Sequence, residues 1–448
     1  MNYEEAIQYI HNTVKFGSKL GLTNITELLK RLGDPHKKFP AVHVAGTNGK
    51  GSVTSMTTSI LHQAGYKVGM FISPYLERFT ERIQVNLEEI PVDELALLTE
   101  QVKEQIDGMV RDGFNHPTEF ELVTTLGFLW FAKQNVDIAV VEVGLGGRLD
   151  STNVISPLVS VITSISFDHM RVLGSTLSEI AFEKGGIIKP GVPVVSYPQQ
   201  EEAAKVIKGL AAERGCSYYG VLPDQIRERD TELSVQHFDF TFQGNTWESF
   251  AIHLPGKHQQ LNAACAITAL QVLKDKGFNI TDEILYAGLD QARWPGRLEV
   301  MGENPTILLD GAHNPSGAQA LADAMRLYFP NKQIYLILGV LHDKDVNGVT
   351  SILCSVADRV IVTRPDSPRA TSPEELAAIV AIYHSDVTIS ESVPEAISIV
   401  SDWLQTDKVK KDGNTNDSND KVIIISGSLY LVGEARTILR QRFKQEPK

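Results

Sequence analysis

Short apolar runs rich in Val and Ile recur along the chain and alternate with longer stretches of helical periodicity. The runs predict strands at 41–45, 138–143, 158–163, 307–310, 334–339, 359–363 and 422–426. Several are apolar on both faces, as parallel strands covered by helices on both sides should be. Between them, apolar residues return at helical spacing, which predicts helices at 53–64, 92–106, 119–133, 177–183, 261–276, 316–328, 373–383 and 393–404. This βαβ rhythm reads as a doubly wound α/β architecture.

The rhythm breaks twice. From about 215 to 255 the chain turns polar, with alternating stretches such as 238–242, and reads as a small antiparallel appendage on the first sheet. At RWPGRLEVMGEN (293–304) Pro and Gly interrupt the helical pattern and a fresh strand–helix series follows. A domain boundary is expected there, giving 1–298 and 299–448. The stretch KVKKDGNTNDSND (408–420) reads as a solvated loop before the last strand.

Composition narrows the function. With 448 residues the chain has room for two or three domains with sizeable cores. Its 42 Lys and Arg against 55 Asp and Glu leave a net charge of −13, which disfavours general nucleic-acid or anionic-membrane binding. Three cysteines, Cys216, Cys265 and Cys354, lie far apart, in neither a disulfide framework nor a metal-ligand spacing. The first residues, MNYEEAIQYI, lack the basic and apolar regions of a signal peptide, and no apolar run reaches the ~18–20 residues of a membrane span. A cytoplasmic protein is expected.

The first chemical signal follows the run 41–45. Gly46-Thr47-Asn48-Gly49-Lys50-Gly51-Ser52 separates a strand from an amphipathic helix. Such a turn directs backbone N–H groups and the positive end of a helix dipole at phosphate oxygens. Lys50 would reach the β/γ-phosphates, and the Ser52 hydroxyl could bind Mg²⁺. Gly51 separates Lys50 from Ser52, so the spacing departs from G-x-x-x-x-G-K-[ST].

Further candidates stand at strand ends, where α/β sheets bind ligands. Glu142 closes one run and suits a magnesium ligand, and His169, beside Asp168, follows the next as a candidate imidazole ligand. Asp310 repeats the strand-end placement in the second half. By spacing alone Lys184 is a helix-end cation. Arg297 is equally an interdomain ion pair or a nucleotide clamp, and Asn262 equally a helix N-cap.

Together these residues resemble a family. AGTNGKGSV (45–53), SPYLERFTERI (73–83), EVGLGGRLDSTNV (142–154), DHMRVLGSTLSEIAFEKGGIIKPG (168–191), PGR (295–297), LDGAHNP (309–315) and HDKD (342–345) occur in the order seen in the folylpolyglutamate synthase/dihydrofolate synthase family, within the wider Mur ligases. The family's S-P-H-L reads Ser-Pro-Tyr-Leu at 73–76, and its E-K-A-G reads Glu-Lys-Gly-Gly at 183–186.

The resemblance implies an N-terminal P-loop ATPase domain with a mostly parallel sheet and a C-terminal Rossmann-like domain, the active site lying between them. It implies an ATP-dependent ligase that adds L-glutamate to folates, and to dihydropteroate, through an acyl phosphate. ATP and Mg²⁺ are the implied cofactors. The implied partners are small-molecule substrates, without nucleic acid or membrane, for a chain acting as a monomer.

Carried over by position, Asn48, Gly49, Lys50, Gly51, Ser52, Asn262, Arg297 and Asp310 match nucleotide-binding residues. Ser52, Ser73, Glu142, His169 and Lys184 match the metal site, with Lys184 the lysine carbamylated by CO₂. Lys50, Lys184 and His313 match catalytic positions, His313 near the glutamate. Ser18, Lys19, Leu20, Thr118, Phe120, Glu121, Arg148 and Asp150 match segments lining the pterin site. The alternatives are a Mur-type ligase acting on a UDP-linked peptidoglycan precursor and a nucleotide switch without ligase chemistry.

Overall fold

The computed structural model describes residues 1–17, 21–409 and 420–445, and among these the strands form three sheets. The first contains β1 (Ala41–Ala45), β2 (Val68–Phe71), β3 (Ile83–Val85), β4 (Glu88–Glu89), β5 (Ile138–Glu142), β6 (Val159–Ile162), β7 (Val194–Ser196) and β8 (Tyr218–Gly220). Their order is β4-β3-β2-β5-β1-β6-β7-β8. Strands β2, β5, β1, β6, β7 and β8 run parallel, and β3 and β4 add an antiparallel edge.

The period of two along a strand explains the layering. Val42, Val44, Ile138 and Val140 enter a core shared with the helices Lys50–Gln63, Lys257–Asp275 and Asp282–Gln291. Their neighbours Ala41, Ala139 and Val141 enter a second core under the helices Thr23–Arg31, Val92–Arg111 and Glu119–Gln134. Both faces are therefore apolar, as expected for parallel strands.

The polar stretch behaves differently from its expectation. Its first residues form β8, the parallel edge of the main sheet. Strands β9 (Ile226–Thr231), β10 (Gln236–Phe242) and β11 (Asn245–Ile252) then make a separate antiparallel sheet that shares no strand pairing with the first. Phe238, Phe240 and Phe250 explain its position, since their rings are buried in the core beneath the helix Lys257–Asp275.

The third sheet begins at β12 (Glu299–Glu303), antiparallel to β13 (Thr306–Asp310). It continues in parallel through β14 (Gln333–Leu338), β15 (Arg359–Val362), β16 (Val387–Ile389) and β17 (Lys421–Ser426), in the order β12-β13-β17-β14-β15-β16. Alternation again divides two cores, with Leu336, Leu338 and Ile424 on one side and Ile337, Ile423 and Ile425 on the other.

Other boundaries move as well. The helix Lys257–Asp275 starts before the predicted 261, capped by Gly256, so Asn262 lies inside it and is not an N-cap. The helix Val393–Val409 runs into the expected loop at 408, and 410–419 lie outside the described residues. Strands β2, β7 and β8, only 3 or 4 residues each, were too short for periodicity to reveal. Among the described residues no helix is long and apolar enough to cross a membrane.

Gly288 marks the tightest helix crossing in the first core, since a Cβ there would lie 2.5 Å from the Ile60 Cα. Gly288→Ala must push the two helices apart, which costs about 1–3 kcal/mol. Urea unfolding should show a lower midpoint with an unchanged slope, and an unaltered midpoint would contradict this packing.

Candidate active site

The carboxyl ends of β1, β2, β5 and β6 open on one rim, and the loops leaving them build the site. Gly49, at φ +87°, caps the helix Lys50–Gln63 in the left-handed region that glycine tolerates. Gly46 has no space for a side chain, because a Cβ would sit 1.8 Å from the Thr163 Oγ1. Both positions require glycine, one for conformation and one for contact.

A cavity of about 930 Å³ spreads from this loop to the C-terminal sheet. Its wall carries Asn48 to Ser52, Ser73, Glu142, His169, Lys184, Asn262, Arg297, Asp310 and His313. These residues come from positions 48 to 313 in sequence, and the sheet topology brings them together.

Charge is concentrated here. Lys184 donates to the Gly46 carbonyl at 2.7 Å, and Lys50 donates to the same oxygen at 3.2 Å and to Thr47 O at 3.1 Å. Burial, reinforced by Lys50, lowers the Lys184 pKa to about 7. Burial also lowers that of Lys50. Burial raises the Glu142 pKa to about 7 despite Lys50 and the Ser73 N–H, 3.4 Å from its carboxylate. Asp310 is raised by burial as well, and accepts from Leu298 N and Ala312 N at 3.0 and 2.9 Å. Asn262 donates to Gln259, while its buried Oδ1 has no protein partner.

A second cluster joins the two halves of the chain. Lys344 donates to Asp168 Oδ1 at 2.7 Å and to His169 Nε2 at 3.0 Å. Asn314 donates to Asp168 Oδ2 at 3.2 Å and exchanges amide hydrogen bonds with Asn48. His313 Nε2 lies 3.6 Å from Asp168 and its Nδ1 lies 2.8 Å from Gly311 O. Burial opposes the Asp168 charge, but His313 and Lys344 outweigh it and hold this carboxyl well below the usual range. His169 stands at φ +51°, strained for a residue with a Cβ, and burial lowers its pKa to about 4.

A second cavity, about 440 Å³, adjoins the first along Ser73, Pro74, His169 and His313. Phe120, Thr118 and Asp150 line it, as do Arg82, Lys344, Arg369 and Tyr430. Two residues expected there turn away. Glu121 caps its own helix, accepting from Thr118 N and Oγ1. Arg148 pairs with Glu183 and lies over Phe182. Asp150 borders the cavity but its carboxylate is engaged by Leu145 N and Thr152 N. Ser18, Lys19 and Leu20 lie outside the described residues.

The expected metal positions are not a ready-made cage. Among the described residues no three His, Cys, Asp or Glu side chains gather as metal ligands. The Ser73 Oγ accepts from Arg82 at 3.2 Å, and Lys344 engages the His169 Nε2. Lys344, Asn314 and Arg82 were absent from the expected site, although HDKD, LDGAHNP and TERI carry them. Motif order pointed to those segments. Which side chain faces the cavity is settled only by the packing of the two sheets.

Residues 44–270 match the Mur ligase middle domain, and residues 296–428 match the Mur ligase, glutamate ligase domain. The fold and site therefore define a Mur ligase. The dihydrofolate synthase/folylpolyglutamate synthase of Bacillus subtilis is 40% identical over 442 residues, 98% of this chain and 99% of that protein. The Mycobacterium tuberculosis folylpolyglutamate synthase complexed with ADP matches with a TM-score of 0.90 at 30% identity, over 100% of each chain. The E. coli protein in complex with DHPP and ADP matches with a TM-score of 0.84 at 29% identity, over 98% of each chain. The chain belongs to the folylpolyglutamate synthase/dihydrofolate synthase family.

The Lys344 ammonium disfavours protonation of the imidazole it touches. In Lys344→Met the His169 midpoint should rise above about 4, read by NMR titration. An unchanged or lower midpoint would show that Lys344 does not act on the ring.

Proposed function

We propose that the protein is an ATP-dependent ligase that joins L-glutamate to folates, and to dihydropteroate, through an acyl phosphate. One observation carries the reading: the phosphate-loop cavity, with Lys50 and Lys184 in its wall, adjoins a second cavity holding Phe120 and Tyr430, and the two share Ser73, His169 and His313. An acceptor in the second cavity can present its carboxylate to a nucleotide in the first. The relatives solved with ADP, and with DHPP and ADP, support two such ligands.

Lys50, Gly49 and Ser52 would hold the ATP phosphates, with Asn48, Gly51, Asn262, Arg297 and Asp310 around the rest of the nucleotide. The unpartnered Asn262 Oδ1 fits a donor on that ligand. An acceptor carboxylate oxygen attacks the γ-phosphorus and ADP leaves. The neutral amine of L-glutamate then attacks the acyl carbon, phosphate departs, and an amide remains. Each step is within reach where direct condensation is not.

A magnesium ion fits the donor chemistry. Glu142 is a buried carboxylate whose pKa stays raised although Lys50, Arg297 and Arg82 act against the rise, and a bound cation would relieve it. Ser52, Ser73 and His169 supply neutral donors, the last two once Arg82 and Lys344 release them. Magnesium keeps waters and phosphate oxygens as ligands and needs few carboxylates. When bound it would neutralise charge on the transferred phosphoryl group.

Lys184 as a bare ammonium would repel that cation. With its pKa lowered to about 7, a substantial fraction of the amine is neutral near pH 7. The neutral amine adds CO₂ and releases a proton, giving a carbamate whose oxygens suit magnesium. His313, held between Gly311 O and Asp168, is placed to handle a proton from the glutamate amine. A Mur-type reaction is disfavoured by the folate-type loop at 73–76 and the Lys-Gly-Ser ending of the phosphate loop.

Phosphate release from ATP tests the whole reading. It should require both a folate acceptor and L-glutamate, and release with a UDP-linked peptide acceptor instead would overturn it. Lys50→Ala should abolish turnover in a folded protein, a loss of several kcal/mol of transition-state stabilisation. Near-normal catalysis by that variant would remove Lys50 from the mechanism.

Lys184→Ala should be nearly inactive, and acetate should restore part of the rate. Because the amine loses its charge as pH rises through about 7, bicarbonate activation of the wild type should strengthen from pH 6 to pH 8. Full activity in Lys184→Arg, which keeps its charge, would return the residue to a helix-end cation.

A further inference from the structure

Arg82 carries a buried charge in the second cavity that no carboxylate contacts directly, Glu119 and Glu142 acting on it only at a distance. Its Nη1 donates to the Ser73 Oγ at 3.2 Å, and its buried Nε has no protein acceptor. The guanidinium lies 5.1 Å from the Tyr75 ring centroid and 5.5 Å from that of Phe79, so aromatic faces hold its plane.

Every neighbouring carboxylate is committed elsewhere. Glu81 accepts the N–H groups of Leu76, Glu77 and Arg78. Glu89 holds Arg78 and Thr80. Glu119 meets His11 at 3.3 Å, and Glu142 meets the Ser73 N–H. Among the described residues no carboxylate pairs with Arg82. A cation taken from water without an anion is costly, and the cost is recovered when a ligand supplies one.

We infer that Arg82 binds a carboxylate of the acceptor, the one that is not activated. This rests on the ligase reading above. The planar fork of a guanidinium matches a carboxylate through two parallel hydrogen bonds. Arg82 lines the second cavity and not the first, which suits it to a carboxylate other than the one that meets the nucleotide. Its bond to Ser73, which lines both cavities, puts it beside that reacting group.

A folate ends in a glutamate whose γ-carboxylate reacts while its α-carboxylate stays free. Dihydropteroate has only the reacting carboxylate. Arg82 is thus a specificity residue: it favours acceptors that already carry glutamate and is indifferent to the acceptor that carries none.

The test compares three acceptors in the wild type, Arg82→Gln and Arg82→Lys: a reduced folate, the same folate as its α-carboxamide, and dihydropteroate. In Arg82→Gln the KM for the free-acid folate should rise about ten-fold or more, the scale of lost charge-assisted hydrogen bonds. Because Arg82 also bonds Ser73 and acts on Glu142, a smaller loss common to dihydropteroate and the α-carboxamide is expected, and the inference is read from the additional loss on the free acid. Arg82→Lys should recover part of the loss. Equal losses on free acid and carboxamide, or a raised KM for L-glutamate in place of the folate, would overturn the inference alone. A wild type that ligates glutamate to none of the three would overturn the ligase reading and this inference with it.

Discussion

Two buried lysine side chains converge on one carbonyl oxygen, and the layout of the site follows from that contact. Lys50 and Lys184 both donate to Gly46 O, and both are buried. Like charges so close are unfavourable without an anion between them. The nearby Glu142 cannot balance them fully, since burial raises its own pKa to about 7. Loss of the Lys184 proton relieves the pair, and phosphate oxygens would satisfy the charge that Lys50 keeps.

The loop holding that carbonyl is fixed from three directions. A Cβ on Gly46 would strike Thr163, one on Gly49 would strike Asn262, and one on Gly51 would strike Trp294. Those contacts belong to β6's exit, the helix Lys257–Asp275 and the linker before β12. The loop is a junction of the N-terminal layers, held rigid by its neighbours, and such rigidity is what preorganised electrostatics requires.

The third sheet completes the cleft. Lys344 reaches Asp168 and His169, and Asn314 reaches Asn48. Arg436 joins Glu77 to Glu299, tying the loop after β2 to the start of β12. A Cβ on Gly433 would lie 2.0 Å from Leu76 O, so the last helix packs directly on that loop. Both cavities are walled by residues of both halves of the chain, so a ligand spanning them would favour one relative position of the sheets.

Local pattern determined the strands that position the site, because β1, β5, β6 and β13 are buried on both faces and leave unbroken apolar runs. It also determined the phosphate loop, whose glycines and Lys50 are adjacent in sequence. Tertiary structure decided the remainder. Whether Asn262 caps a helix or faces the cavity from within it depended on where that helix starts. Arg148 and Glu121 stand in the right segments, yet nearer partners, Glu183 and the Thr118 N–H, claim them. Lys344 lies 175 residues from the histidine it touches. A side chain's partner is chosen by distance in space, and the sequence order of a doubly wound sheet does not record which loops share a rim.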